Sequence, residues 1–490
     1  MDARQFALSR RGFIASSSAM AAASIAAGAG FAKPATDIRV AVIGFRARGR
    51  NHIDGLKRNV VALCDVDERI LKPSAEKLGG ETGRKIDVYT DYRRLLERDD
   101  LDGVAIATPN HTHSLIAVAA AQAGKHVYVE KPVSHNIWEG RQMVAAAKKH
   151  GVVMQCGTQS RSSPSLQAAV EFVQGGGLGK IQYAIGTCYK PRRPIGNLSE
   201  PLTIPEGVDY DLWCGPAEKR DLFRPQLHYD WHWDSNTGNG DMGNQGIHQV
   251  DIARWFLGED SLPPSVLSVG GRLGYDDAGD TPNTQTVLFG YERAPLIFET
   301  RGLPRSAAFH ESKDAWERNM DRFRGSGIGV LVQCERGHVL IPSYVEAIAF
   351  DADGNQVQRW KGGGDHFANW LTAVEAGDDS LLNGPIREGH LSSSICHLGG
   401  ISHTLGEQAR MGEIAERCVG EALFSGSLER MAGHLRANGV DVDGEAALTS
   451  GAQLRLDPEN ETFVGNDEAS RLRTREYRAP FAVPDVESQV

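Results

Sequence analysis

The sequence predicts an α/β protein in two main parts: a parallel sheet wrapped by helices, then an α+β domain with a large, mostly antiparallel open sheet. Three observations carry that prediction. From Ile38 to about Gly157, short β-branched runs alternate with amphipathic stretches, as strands joined by crossover helices do. Beyond Gly157 the chain shifts to long alternating runs, which suit strands with one covered face. Its 490 residues, 41% hydrophobic and 24% charged, suffice for two or three domains with sizeable cores.

The first-domain strands read, in order, "IRVAVIG", "VVALCDV", "DGVAIATP", "HVYVEKP" and "VVMQCG". Helical stretches between them include "YRRLLERDD" and "HSLIAVAAAQAG", the second ending at Gly124, where a C-cap belongs. A helix from about Pro164 to Val173 leads through "GGGLGK" into "IQYAIGTCY", and a loop-rich segment follows up to Gly240. Then come a helix over Asn244 to Leu257 and the alternating runs "SVLSVGGRLGY", "TQTVLFGYE", "APLIFETRGL", "GVLVQCERGHVLI" and "EAIAFD". Helices around His366 to Ala376 and Glu388 to Leu405 are expected to close the second domain. The expected segments are a leader at 1–32, a nucleotide domain at 38–157, a second domain at 158–405 and a C-terminal extension at 406–490 packed on the body.

The leader, "SRRGFIASSSAMAAASIAAGAGFA", places Arg10 and Arg11 before Gly12, Phe13 and Ile14, then a weakly apolar stretch, with Ala27-Gly28-Ala29 as a cleavage site. It resembles a twin-arginine export signal. That implies a periplasmic or otherwise exported protein, with the export machinery as a partner and a cofactor carried out inside the folded chain. A net charge of -10 disfavours nucleic acid and anionic membranes. The seven cysteines are scattered, odd in number and free of any C-x-x-C pair, so neither a zinc site nor a disulfide framework is expected. His228 and His232 stand at i and i+4, but no helix is evident there and no metal site is assigned.

The turn "VIGFRARGRNH", Val42–His52, follows an apolar strand and resembles G-x-G-x-x-G with Arg46 in place of the middle glycine. Gly44 supplies the tight turn, Gly49 the close approach of helix to sheet, and Ala47 and Arg48 complete the loop beside the pyrophosphate. Asp65 ends the second strand 21 residues after Gly44. A carboxylate there accepts hydrogen bonds from the adenosine ribose and disfavours a 2′-phosphate, so NAD is expected over NADP. Arg46 leaves NADP open, because it can cover the pyrophosphate or reach a 2′-phosphate past Asp65.

The stretch "VAIATPNHTHSLIAVAAAQAGKHVYVEKPVS" resembles the Gfo/Idh/MocA family, the glucose-fructose oxidoreductase and inositol dehydrogenase relatives. The resemblance runs from about Ile38 to Leu405. "GTQSRSSP", "LWCGPAEKR", "GDMGNQGIHQVDIARW", "DHFANW", "REGHLSSSICHLGGISHTLG" and the terminal "REYRAPFAVP" fit an exported subgroup. It implies a Rossmann first domain, with Thr108, Pro109, Asn110 and His113 along the cofactor. It also implies that Glu130 and Lys131, followed by Pro132, meet the nicotinamide and the substrate.

A lysine at the carboxyl end of a sheet strand lies where open α/β sheets bind ligands, and its ammonium stabilises an alkoxide as hydride leaves. His248 is the expected general base. The family's D-x-G-x-H is Asn244-Gln245-Gly246-Ile247-His248 here, and i to i+4 spacing puts Asn244 and His248 on one helix face. Asn244 offers only a neutral dipole where the family has a carboxylate, so Lys131 loses a charged partner. Asp241 and Asp251 either substitute for it or are packing carboxylates.

Trp231, His232, Trp233 and Asp234 suit a stacked sugar, or equally a loop with aromatic anchors. Gln159, Arg161 and Arg193 are further expected substrate contacts. The expected activity is hydride transfer between a sugar or polyol carbon and a tightly held nicotinamide. The alternatives are a redox-assisted glycosidase or epimerase without net cofactor turnover, and a non-catalytic sugar-binding relative. Self-association into a homo-oligomer is expected through the second sheet.

Overall fold

A computed structural model describes residues 37–489; the leader expected at 1–32 lies outside the described residues. Strands β1 (Val40–Ile43), β2 (Val60–Cys64), β3 (Asp87–Tyr89), β4 (Gly103–Ile106), β5 (His126–Val129) and β6 (Met154–Cys156) form one sheet in the order β3-β2-β1-β4-β5-β6. Every pairing in it is parallel. β1, β2 and β4 are buried throughout, and they read as unbroken apolar runs because both faces are covered. The order reverses between β1 and β4, so their carboxyl ends open the crevice where such sheets hold ligands.

Local signals set several boundaries. Asp67 caps the helix Glu68–Thr82 and Asn136 caps Ile137–His150, each through a side-chain oxygen. "YRRLLERDD" is helical only over Tyr92–Leu96; just beyond, Arg98 turns to bind Asp87 and Asp100. The helix His366–Ala376, expected in the second domain, instead packs Trp370, Ala373 and Val374 against the first sheet beside Val40, Val42 and Tyr128.

The second sheet has 12 strands, and its main path follows β7 (Ile181–Tyr189), β8 (Ser265–Gly271), β9 (Thr284–Phe289), β10 (Leu296–Arg301), β11 (Ile328–Cys334), β12 (Gly337–Ser343), β13 (Glu346–Asp351), β14 (Gln356–Lys361), β15 (Glu407–Ala409) and β16 (Leu448–Ser450). They lie in the order β14-β13-β12-β11-β7-β10-β9-β8-β16-β15. β7 and β10 run parallel, and the other neighbours on this path are antiparallel. Helices Pro164–Gln174, Ile247–Leu257 and Ile386–Thr404 bury their apolar residues on one face. On the other, Phe424, Leu428, Met431 and Leu435 of the helix Ala422–Ala437 pack with Ile185, Val269 and Ile297. The chain's own C-terminal segment thus fills part of the sheet surface where self-association is expected.

Residues 406–490 do more than lie on the body. They add β15 and β16 to the sheet, and the tail then returns to the first domain. The Trp138 N–H donates to Arg473 O at 2.9 Å, and the N–H groups of Val486 and Glu487 donate to Gln142 Oε1 at 2.7 and 2.9 Å. Phe481, Val483 and Val486 join the core over β5. All seven cysteines are buried and unpaired.

Candidate active site

A cleft of about 650 Å³ lies between the carboxyl ends of β1, β2, β4 and β5 and the start of the helix Ile247–Leu257. A larger open groove, about 1180 Å³, lies elsewhere between the two domains. There Arg141 meets Glu461 at 3.5 Å and His390 meets Glu461 at 2.9 Å. The cleft is where the chemistry-bearing residues gather.

On the first-domain side, the backbone of the turn demands two glycines. Gly44 has φ +76°, and a Cβ there would lie 2.7 Å from Thr108 Cγ2. A Cβ on Gly49 would lie 2.0 Å from the Gly44 carbonyl oxygen, well inside van der Waals contact. The middle position carries no such constraint, which is how Arg46 is tolerated. Its guanidinium turns back to Asp67, with Nε at 3.0 Å from Oδ2. Ala47 lines the same wall.

Asp65 sits at the end of β2 and faces the cleft. It accepts the N–H of Phe45 at 3.1 Å and of Asp67 at 3.0 Å. Burial pushes its carboxyl up to about 6, against the pull of those two bonds and Arg46. Arg48 Nε donates to Glu130 Oε1 at 2.7 Å, and His52 Nε2 meets the same oxygen at 3.0 Å. Burial alone would raise the Glu130 carboxyl, but the His52 bond and the charges of Arg48 and Lys131 hold it well below the usual range.

Thr108, Pro109 and His113 line the cleft. The His113 ring ties two turns together, with Nδ1 2.8 Å from Pro132 O and Nε2 2.8 Å from Thr108 O. Asn110 does not line it. Its amide turns away to the side chain of Asn239, so it links the T-P-N turn to the second domain.

On the opposite side, Lys131 Nζ donates to the backbone carbonyl of Asn244 at 2.6 Å. The helix expected from Asn244 starts differently: Met242–Gly246 form a π-helical turn, and regular α-helix runs only over Ile247–Leu257. Such turns recur at functional sites, and here the turn brings main chain to the lysine. Asn244 and His248 both line the cleft. His248 Nδ1 is buried without a partner. Burial first, then Lys131, pushes its pKa well below the usual value, which leaves a neutral imidazole. Burial also lowers the Lys131 ammonium, with Glu130 opposing and Arg48 and Lys190 adding to the effect.

Gln159 and Trp231 line the cleft as expected, but three other substrate candidates do not. Arg161 is buried in an ion pair with Asp251 at 2.9 Å and Glu388 at 3.1 Å. Arg193 points to solvent, while its neighbour Arg192 is buried against Asp241, with Nε 2.6 Å from Oδ2. Trp233 is buried under the Arg192 guanidinium, 5.1 Å from the ring centre. Asp241 and Asp251 are therefore packing carboxylates, each held by an arginine. Trp231 stacks on His232 with ring centres 3.7 Å apart.

Several cleft residues escaped the sequence reading. Lys190 follows β7 and donates to Gln245 Oε1 at 3.0 Å; its place at a strand end is the cue that singled out Lys131. Tyr229 holds φ 77°, rare for a non-glycine residue. Phe481 comes from the C-terminal tail into the wall beside Tyr92, Leu115 and Leu212, and nothing in its local sequence signals that.

A glycine turn after β1, a carboxylate at the end of β2 and a lysine and a histidine lining one cleft fit a two-domain nicotinamide-dependent oxidoreductase fold. Residues 38–158 match an oxidoreductase family's NAD-binding Rossmann fold, and residues 192–314 match its C-terminal alpha/beta domain. The myo-inositol 2-dehydrogenase of Thermotoga maritima is 33% identical over 287 residues, which covers 54% of this chain and 74% of the relative. The levoglucosan dehydrogenase of Pseudarthrobacter phenanthrenivorans is 27% identical over 207 residues, 42% of this chain and 44% of that one. A solved levoglucosan dehydrogenase in complex with NADH and levoglucosan shares the fold, with TM-score 0.54 and 19% identity over 74% of this chain and 95% of its own. The chain belongs to the Gfo/Idh/MocA oxidoreductase family.

The cleft suits NAD on its own geometry. Gly44 and Gly49 keep a cradle that a Cβ would fill, and Asp65 presents a carboxylate at the end of β2. Residues 44–49 would hold the pyrophosphate, Asp65 the ribose, and Thr108, Pro109 and Lys131 the nicotinamide half.

Proposed function

We propose that this protein is an exported NAD-dependent dehydrogenase that oxidises a CH–OH carbon of a sugar or polyol and keeps its cofactor tightly bound. The observation that carries the reading is that Lys131 and a neutral His248, whose Nδ1 has no hydrogen-bond partner, line the same cleft. Bound NAD supplies the acceptor for the hydride that leaves carbon. Lys131 Nζ donates to the hydroxyl oxygen and stabilises the developing alkoxide. His248 takes the hydroxyl proton on a ring nitrogen, so the alcohol loses a hydride and a proton and leaves as the carbonyl. The Asn244 carbonyl holds Lys131 in place without neutralising it. The paired arginines in the leader, Arg10 and Arg11, support export, and the wall contributed by Phe481 supports slow cofactor release.

The test uses the purified full chain with NAD and a panel of sugars, polyols and aryl glycosides, read by NADH absorbance and product analysis. Net NADH formation is expected. His248→Ala should lower kcat/KM by about 10²–10⁴-fold while NAD affinity is kept. Equal turnover in both forms overturns the assignment, and glycoside cleavage without NADH accumulation would identify redox-neutral chemistry instead.

A further inference from the structure

The substrate side of the cleft carries positive charge that its own carboxylates do not balance. On the cofactor side Arg46 has Asp67 and Arg48 has Glu130. On the substrate side both ammonium groups donate to neutral oxygens, Lys131 to the Asn244 carbonyl at 2.6 Å and Lys190 to the Gln245 amide at 3.0 Å, while Glu130 and Asp241 act on them only through space. These acceptors are consecutive residues of the π-helical turn. Gln245 is held in that orientation because its Nε2 donates to Tyr344 Oη and to Gln249 Oε1.

Among the described residues, Asp230 beside the cleft has an Oδ2 without a hydrogen-bond partner, but the charges acting on it are Arg224, Asp277 and Arg272 rather than the two lysines; the other carboxylates around the lysines are already committed. Asp241 is bound by Arg192 and Asp251 by Arg161. Glu130 is already shared between Arg48 and His52, and Asp65 stands at the ribose end among backbone donors. His232 and His248 share the cleft and are kept neutral, by burial first and then by Lys131. A cation withdrawn from water needs an anion or dense hydrogen bonding. In the dehydrogenase chemistry above Lys131 serves the reacting hydroxyl, and Lys190 has no part.

We propose that the substrate is a sugar or polyol acid, whose carboxylate pairs with Lys190 while a hydroxyl on the same molecule faces Lys131 and His248. This rests on the dehydrogenase reading for its orientation but not for its charge. A carboxylate entering this cleft completes the charge balance that Asn244 leaves open.

The NAD-loaded full chain is titrated calorimetrically with D-glucuronate, D-galacturonate and D-gluconate, and with D-glucose, D-galactose and myo-inositol. At least one acid is expected to bind about 10-fold or more tightly than its neutral counterpart, the strength of one charged hydrogen bond. Lys190→Met should abolish that preference and Lys190→Arg should retain it, with thermal unfolding confirming that both variants fold. Neutral sugars that bind as tightly as every acid, no acid binding, or an undiminished preference in Lys190→Met overturns the inference. NADH formation read in parallel separates the two readings. Acid-selective binding with no NADH formed from any compound leaves the charge inference standing and removes the dehydrogenase; NADH formed from neutral sugars without acid preference does the reverse.

Discussion

The two halves of the cleft both carry basic side chains and give them different partners. In the half made by the first domain, each arginine of the turn reaches a carboxylate at another strand end: Arg46 to Asp67, Arg48 to Glu130. In the half completed by the second domain, Lys131 and Lys190 reach a backbone carbonyl and an amide. A half that closes on itself is pre-organised and sets geometry before any ligand arrives. A half left with unbalanced charge gains most when a ligand of opposite sign excludes water. The cofactor half is thus shaped by sterics and internal pairing, and the substrate half by what it lacks.

The sharpest way to break the comparison is to disturb the steric cradle. Gly49→Ala forces a Cβ to within 2.0 Å of the Gly44 carbonyl oxygen, and overpacking of that kind costs about 1–3 kcal/mol. Denaturant unfolding with and without NAD should show lower stability and loss of the stabilisation by NAD. Unchanged NAD affinity would show that the turn is no cradle.

A milder change probes the tail. Phe481 is buried in the cleft wall, and Phe481→Leu should cost at most about 1.5 kcal/mol of stability. NADH dissociation measured by fluorescence should quicken several-fold, while binding of sugars to the NAD-loaded protein changes little. Dissociation at the original rate would place retention elsewhere.

The smallest effect concerns pH. Asp65 titrates at about 6 because burial raises it, so its carboxylate is fully charged only above that value and gains a proton as pH falls through it. NAD affinity should therefore drop a few-fold between about pH 7.5 and about pH 5.5, as ribose hydroxyls lose a charged acceptor. A flat profile over that window would remove Asp65 from the ribose site.

The nucleotide half was the more legible in sequence. Gly44, Gly49, Asp65, Thr108 and Pro109 stand at fixed offsets from strand ends, and strand ends follow from local apolar runs. Asn110 looked like its neighbours and was drawn instead to Asn239, 129 residues away. The substrate half was harder. Arg161, Arg193 and Trp233 had suitable chemistry, but buried carboxylates and packing claimed Arg161 and Trp233, and Arg193 faces solvent. Lys190 went unnoticed because the partner that brings it to the cleft, Gln245, is 55 residues further on.

The sequence by itself determined the parallel sheet, its glycine turn and the residue types at the carboxyl ends of its strands, because short apolar runs and backbone sterics are local. Through the resemblance of Asn244–His248 to a D-x-G-x-H pattern, it also raised the expectation that Asn244 replaces a carboxylate. Only the tertiary structure decided what that means. It brought the main chain of a π-helical turn to Lys131, set Lys190 beside it, took Asp241 and Asp251 away to arginines, and returned Phe481 to the cofactor wall. Those outcomes depend on which charges and apolar surfaces meet across long stretches of chain, and a buried charge is settled by the partner that packing places within reach.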